Sequence, residues 1–107
     1  MSQLFNALIL NPEDNVAVAL RSLQPGEQLS IQGNDRAIQV MENIPYGHKI
    51  ALEPIAMDSK IIKYGECMGI STEDIQPGYH VHVSNVRGLK EEERLDALRE
   101  VQFHENL

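Results

Sequence analysis

Short apolar stretches separated by turn residues run along this chain from Leu4 to about Val86. The turn residues return every eight to twelve positions or so, which is the spacing of an all-β domain. Pro25-Gly26 and Pro77-Gly78 each stand between two such stretches, and this dipeptide suits a type II turn with a positive φ at the glycine. No internal sequence repeat is evident. The pattern predicts a mainly β domain over residues 1–87.

The length and composition of the chain limit how that domain can be built. With 107 residues, the chain fits one domain and leaves no room for two independently folded ones. Hydrophobic residues make up 42% of the sequence, which is ordinary for a globular protein. Aromatic residues are only 5% and tryptophan is absent, so we expect a core of aliphatic side chains.

Charge, cysteine content and hydropathy exclude several classes of protein. The net charge of −7 argues against nucleic-acid binding, which depends on lysine and arginine neutralising phosphates. A single cysteine, Cys67, excludes an intramolecular disulfide and suits a reducing cytoplasm. The apolar run from Ala7 to Leu10 is too short to span a bilayer, and the N-terminus lacks the basic region of a signal peptide. We expect a soluble cytoplasmic protein without a membrane partner.

The composition changes after Gly88. Residues Leu89 to Phe103 are predicted to form a helix, because Leu95, Leu98 and Val101 lie roughly along one side of it. We therefore divide the chain into a β domain, residues 1–87, and a helical C-terminal tail, residues 88–107. An isolated helix of this length is marginal in water, so its apolar side must pack on its own domain or on a second protomer. A homo-oligomer formed through this helix is the sharper of the two expectations.

The segment His80–Asn85 combines a predicted strand with polar side chains. Side chains alternate faces along a strand, so His80 and His82 share one face while Val81 and Val83 point toward the core. The two imidazoles would lie about 7 Å apart at the Cα level, from a rise of about 3.3 Å per residue. They could bind one metal ion or one anionic ligand, or act as acid and base. A complete metal site needs further ligands, which no other motif in the chain supplies.

Three further polar clusters precede this segment, and each has an ordinary explanation. Asp14-Asn15 could cap a turn, and the side chains of His48 and Lys49 could simply be solvated. Lys63, in an otherwise apolar run, could bind a carboxylate as a point charge or extend into solvent. Local sequence alone leaves these alternatives open.

Taken in order, however, the clusters closely resemble the SAF domain of the altronate dehydratase family. That family includes galactarate dehydratase and the sulfolactate sulfo-lyase small subunit. The resemblance covers about residues 11 to 87 and implies a β-clip (SAF-like) fold and a metal-assisted elimination on a hydroxy acid. It rests on five collinear motifs: Asp14-Asn15-Val16-Ala17-Val18-Ala19-Leu20, Ile44-Pro45-Tyr46-Gly47-His48-Lys49-Ile50-Ala51-Leu52, Ile62-Lys63-Tyr64-Gly65, Met68-Gly69-Ile70-Ser71 and His80-Val81-His82-Val83-Ser84-Asn85.

The resemblance also implies roles for individual residues. His80 and His82 would be catalytic and would serve as metal ligands. Family members often carry a third histidine where this chain has Ser84, which weakens the metal site at this position. The residues implied in substrate binding are Asp14, Asn15, His48, Lys49, Lys63, Tyr64 and Asn85.

The function implied is that of the small subunit, or the equivalent N-terminal domain, of a metal-dependent hydro-lyase. The substrate would be a sugar acid such as altronate or galactarate. The divalent metal, Fe²⁺ or Mn²⁺, would be completed by a large catalytic dehydratase subunit, and the chain would be inactive alone. Alternatives are a sulfolactate sulfo-lyase small subunit, which releases sulfite, a non-catalytic SAF binding or assembly module, and a dimerisation domain.

Overall fold

The chain folds into short antiparallel strands, as the spacing of its turn residues predicts. The structure, a computed structural model, describes residues 5–32 and 37–95. One sheet has the strand order β1-β2-β3-β6 and the other β4-β5-β7, and a short helix covers residues 91–95. The predicted mainly β fold with a C-terminal helix is confirmed. The strands are β1 (Ala7–Leu8), β2 (Val16–Ala19), β3 (Lys49–Ala51), β4 (Lys60–Lys63), β5 (Glu66–Ser71), β6 (His80–Val81) and β7 (Val86–Arg87).

Strand β3 occupies a central place in the first sheet. Ile50 pairs with Ala17 of β2 on one side and with His80 of β6 on the other. This register brings the residues that precede β3 alongside the residues that follow β6. Two sequence segments more than 30 positions apart are thereby joined at one end of the sheet.

Aliphatic side chains form the core, as the composition predicts. Strand β2 contributes to both of its parts, because Ala17 and Ala19 point into one cluster and Val16 into the other. Ile50 lies in the first cluster and Ala51 in the second, so the first sheet is covered on both faces at its centre. No aromatic side chain belongs to either cluster among the residues that the structure describes.

Four turns of the same kind repeat along the chain. In each, a buried Leu or Ile precedes a four-residue turn, and the third residue of the turn has a positive φ. The predicted positive φ of Gly26 and Gly78 is confirmed at 96° and 90°. Gly47 and Asp58 take the same place, with φ values of 81° and 68°. The sequence conceals this structural repeat because only two of the four turns contain the Pro-Gly dipeptide.

The predicted strand from His80 to Asn85 is shorter than expected. It ends at Val81, and residues 82–85 form a turn into β7. Val81 is buried in the core as predicted, but Val83 is 94% exposed, so its predicted burial is wrong. The alternation of faces stops where the extended backbone stops.

The C-terminal segment is described only in part. Residues 91–95 are helical, and Leu95 at the end of that segment is 47% exposed. The rest of the predicted helix, including Leu98 and Val101, lies outside the described residues. Within residues 5–32 and 37–95, no helix has the length and apolar character needed to cross a bilayer.

Candidate functional site

An open cleft lies between the edge strands of the two sheets, β6 and β7. Its volume is about 590 Å³. Five basic side chains line it, namely His48, Lys49, His80, His82 and Arg87, and none of the described residues that line it is acidic. Because the whole chain carries a net charge of −7, this concentration of basic groups is a local property of the cleft. Such a surface suits an anionic ligand.

Three imidazoles lie together in this cleft. The rings of His80 and His82 are stacked, with centroids 4.0 Å apart and planes inclined by 14°. They share one side of the chain, as their spacing predicts. Nδ1 of His48 lies 2.9 Å from Nε2 of His80, and the centroids of these two rings are 5.0 Å apart. Sequence reasoning considered His48 apart from the other two, because the contact depends on the pairing of β3 with β6.

The turn after β6 holds these rings in place. Asn85 is buried, its side-chain oxygen accepts a hydrogen bond from the His82 amide at 2.9 Å, and its side-chain nitrogen donates to the His80 carbonyl at 2.8 Å. Oγ of Ser84 lies 2.8 Å from Nε2 of His82. The predicted substrate-binding group Asn85 therefore has its amide engaged within the protein, where it fixes the backbone that carries both histidines.

An acidic depression lies on the other side of the same turn. Its volume is about 470 Å³, and its lining includes Glu42, Glu73 and Asp74 together with His82. Glu42 also accepts a hydrogen bond from the His80 amide at 2.8 Å, and Asp74 accepts one from the Met57 amide at 2.8 Å. Sequence reasoning missed these carboxylates, since each stands alone in the chain without a motif. They place negative charge behind the imidazole cluster.

The environment of His80 lowers its pKa from 6.5 to about 4. Partial burial is the main cause, and the neighbouring His82, His48 and Lys49 add to it, while the charge of Glu42 opposes it. His80 is therefore a neutral imidazole near pH 7. Burial, followed by the charge of Lys63, also lowers the pKa of Lys49.

This shift predicts a loss of stability in mild acid. The unfolded chain, with a histidine pKa near 6.5, takes up the proton before the folded chain does. The contribution is fully present above about pH 6.5 and is lost as the pH falls toward 4. Between pH 7 and pH 5 we expect the free energy of unfolding to fall by about 1 kcal/mol, after allowance for solvent screening.

Urea unfolding at the two pH values measures this loss. The variant His80→Gln should show a smaller dependence on pH over the same interval, since it cannot take up that proton. An equal pH dependence in the two proteins would contradict the assignment.

The other residues predicted to bind substrate lie elsewhere. Lys63 and Tyr64 are at the turn between β4 and β5, where the Lys63 ammonium lies 5.1 Å from the centre of the Tyr64 ring. Asp14 accepts hydrogen bonds from the amides of Tyr64 and Gly65 at 3.1 and 2.8 Å. The Asn15 side chain bonds to the backbone of β4 at Lys60 and Ile62. Asp14 and Asn15 therefore attach the start of β2 to the second sheet, and neither lines the cleft.

The imidazoles could supply part of a metal site. Two nitrogens bound to one ion at about 2.1 Å lie roughly 3 Å apart, which is close to the separation between His48 and His80. The in-plane lone pairs of the nearly parallel His80 and His82 rings do not converge in this way. No group of three or more His, Cys, Asp or Glu side chains that could hold an ion exists among the described residues. Further ligands would have to come from elsewhere.

Comparison with known proteins supports the family resemblance drawn from the sequence. Residues 5–89 match the family model of the altronate/galactarate dehydratase SAF domain. Altronate dehydratase of Bacillus subtilis (strain 168) is 42% identical over 78 residues, which is 73% of this chain and 15% of that enzyme. Altronate dehydratase of Escherichia coli (strain K12) is 40% identical over 74 residues, 69% of this chain and 14% of that enzyme. The chain thus spans about one seventh of their length.

A second kind of relative is closer to this chain in length. The (2R)-sulfolactate sulfo-lyase subunit alpha of Chromohalobacter salexigens is 36% identical over 74 residues. The match covers 65% of this chain and 79% of that subunit. In the known relatives, this domain therefore occurs both as a small part of a long enzyme and as most of a short subunit.

Proposed function

Because this chain belongs to the altronate/galactarate dehydratase SAF domain family, we propose that it is the small subunit, or the equivalent N-terminal domain, of a metal-dependent lyase. Its substrate is a hydroxy acid of the sugar-acid type, such as altronate or galactarate. The observation that carries this proposal is the basic cleft, where three imidazoles and a lysine meet without an acidic residue among the described lining. A carboxylate substrate matches that charge.

The reaction removes water β to a carboxylate. A base takes the proton from the carbon next to the carboxylate, and an acid assists departure of the hydroxyl on the following carbon. His80 is a weak base because its pKa is about 4, so the proton transfer falls to His82, whose ring borders the same cleft. Lys49 neutralises the substrate carboxylate.

His48 and His80 are the residues that would hold the divalent ion, Fe²⁺ or Mn²⁺. A metal ligand must be a neutral imidazole, and the lowered pKa of His80 keeps that ring neutral. When bound, the ion acts as a Lewis acid on the departing hydroxyl. The remaining ligands come from a large catalytic dehydratase subunit. Because this chain spans only 14–15% of the altronate dehydratases, the rest of the active site would lie on that partner.

Sulfolactate is the second candidate substrate. The match to 79% of a sulfo-lyase subunit favours a two-component arrangement of the same kind. In that case the bond broken is the carbon–sulfur bond, and sulfite leaves in place of water.

Reconstitution tests the proposal. The 107-residue chain alone should turn over none of altronate, galactarate and sulfolactate. Addition of a cognate large subunit and Fe²⁺ or Mn²⁺ should produce activity, measured as formation of the keto acid, with the large subunit alone as the control. His82→Gln should lower kcat by about 10²–10⁴-fold while still binding the large subunit. Turnover by the chain alone, or full activity of the His82 variant, would contradict the proposal.

A further inference from the structure

Arg87 lines the cleft at β7, and its guanidinium is already bound by a carboxylate. Nη1 donates to Oε1 of Glu93 at 2.8 Å, and Nη2 donates to Oε2 at 2.9 Å. This is the two-pronged geometry in which arginine recognises carboxylates with the greatest strength and specificity. About a third of each side chain is exposed, 35% for Arg87 and 32% for Glu93. The guanidinium is thus oriented for an anionic group and is accessible from the cleft.

Glu93 reaches Arg87 from the short helix of residues 91–95 and is not part of the cleft lining. Its Oε1 also accepts a hydrogen bond from the Lys90 amide at 2.8 Å. Glu93 therefore keeps a second partner at the start of the helix if Arg87 turns to another anion. Exchange of one carboxylate for another at Arg87 replaces two hydrogen bonds by two of the same type, so its net cost is small.

Lys49 and Arg87 bound the cleft from different sheets. Lys49 begins β3 of the first sheet, and Arg87 ends β7 of the second. The described residues that line the space between them include no carboxylate. A small acid held at Lys49 by one anionic group could present a second anionic group to Arg87. An acid with a single anionic group leaves Arg87 to Glu93.

We propose that Arg87 is a second anion-binding residue of the cleft and that Glu93 is its internal competitor. The cleft then prefers hydroxy acids that carry two anionic groups, as a dicarboxylate or a carboxylate with a sulfonate, over those that carry one. The choice between one and two anionic groups rests on the proposed function, since it assumes that the cleft receives the hydroxy-acid substrate.

Binding to the full 107-residue chain, without any partner, tests this proposal. Galactarate and altronate are matched probes, because both are six-carbon hydroxy acids but only galactarate has two carboxylates. Affinities can be measured by NMR titration or calorimetry. We expect galactarate to bind at least about tenfold more tightly than altronate, a difference of about 1.4 kcal/mol.

Four variants locate the effect. Glu93→Gln weakens the competitor and should tighten galactarate binding by about tenfold, with little change for altronate. Glu27→Gln is the matched control, because Glu27 pairs with Arg21 six residues away at 2.6 Å and also accepts the Gln24 amide. Neither member of that pair lines the cleft, so binding should not change. Arg87→Gln should reduce galactarate to the affinity of altronate, and Arg87→Lys should give an intermediate affinity.

Several outcomes would overturn the proposal. They are equal affinity for the two acids, no measurable binding of galactarate, a Glu93 variant that behaves like the Glu27 variant, and an Arg87→Gln variant that keeps full affinity for galactarate. Circular dichroism on each variant confirms that it is folded, and should the Glu93 variant fail to fold, the two Arg87 variants still decide. The reconstitution assay is separate from these measurements. A chain that prefers galactarate but gains no activity with a large subunit would overturn the proposed function and leave the role of Arg87 in place.

Discussion

Gly78→Ala is expected to prevent the chain from folding stably. The φ of Gly78 is +90°, which is unfavourable for any residue with a side chain. A Cβ at this position would lie 2.0 Å from the Gln39 carbonyl oxygen and 2.9 Å from the Met41 side chain. The backbone cannot simply withdraw, because Gly78 donates to the Ala51 carbonyl and accepts from the Met41 amide, both at 2.9 Å. We expect a loss of about 3 kcal/mol or more, a large fraction of the stability of a small domain.

Gly26→Ala is the matched control. Gly26 occupies the same place in an equivalent turn with φ +96°, but a Cβ there meets nothing within 4 Å. Only the backbone conformation is then unfavourable, at about 1–2 kcal/mol. Urea unfolding, followed by circular dichroism, compares the two variants. Equal unfolding midpoints would show that the contact with Gln39 carries no cost.

Asp14→Ala is expected to destabilise the protein by about 2–4 kcal/mol. The Asp14 carboxylate is only 5% exposed and accepts hydrogen bonds from the amides of Tyr64 and Gly65. Hydrogen bonds to a charged group contribute about 1.5–3 kcal/mol each, and part of the loss is recovered because water can reach the freed amides. Asp14→Asn keeps one acceptor oxygen and should lose about half as much.

The neighbouring variant Glu13→Ala is the control for Asp14, since Glu13 is exposed and should change stability by no more than about 0.5 kcal/mol. Unfolding in urea gives both values. The same variants also test the sequence-based expectation that Asp14 binds substrate. An Asp14→Ala protein with unchanged stability but weakened substrate binding would favour that role over the structural one.

Local patterns in the sequence were sufficient for several features of this protein. The alternation of apolar stretches with turn residues predicts the strands, because side-chain direction along a strand depends only on neighbouring positions. The positive φ at Gly26 and Gly78 follows from the Pro-Gly turns in which they lie. The common side of His80 and His82 follows from their spacing. The ordered motifs identified the family, which the match over residues 5–89 confirms.

Contacts between distant segments depend on strand pairing, which local patterns do not encode. His48 meets His80 because β3 pairs with β6, and Asp14 serves as an acceptor because the start of β2 lies against the turn after β4. Val83 is exposed because the side chain of Asn85 closes a turn where a longer strand was expected.

The sequence by itself therefore determined the strands, the Pro-Gly turns, the two neighbouring imidazoles and the family, all of which follow from residues close together or in a fixed order along the chain. Only the tertiary structure decided which basic groups share one cleft and that Glu93 occupies Arg87 at its edge. The reason is that the two sheets bring Lys49, His80 and Arg87 together from separate strands, so their combined charge exists only once those strands have paired.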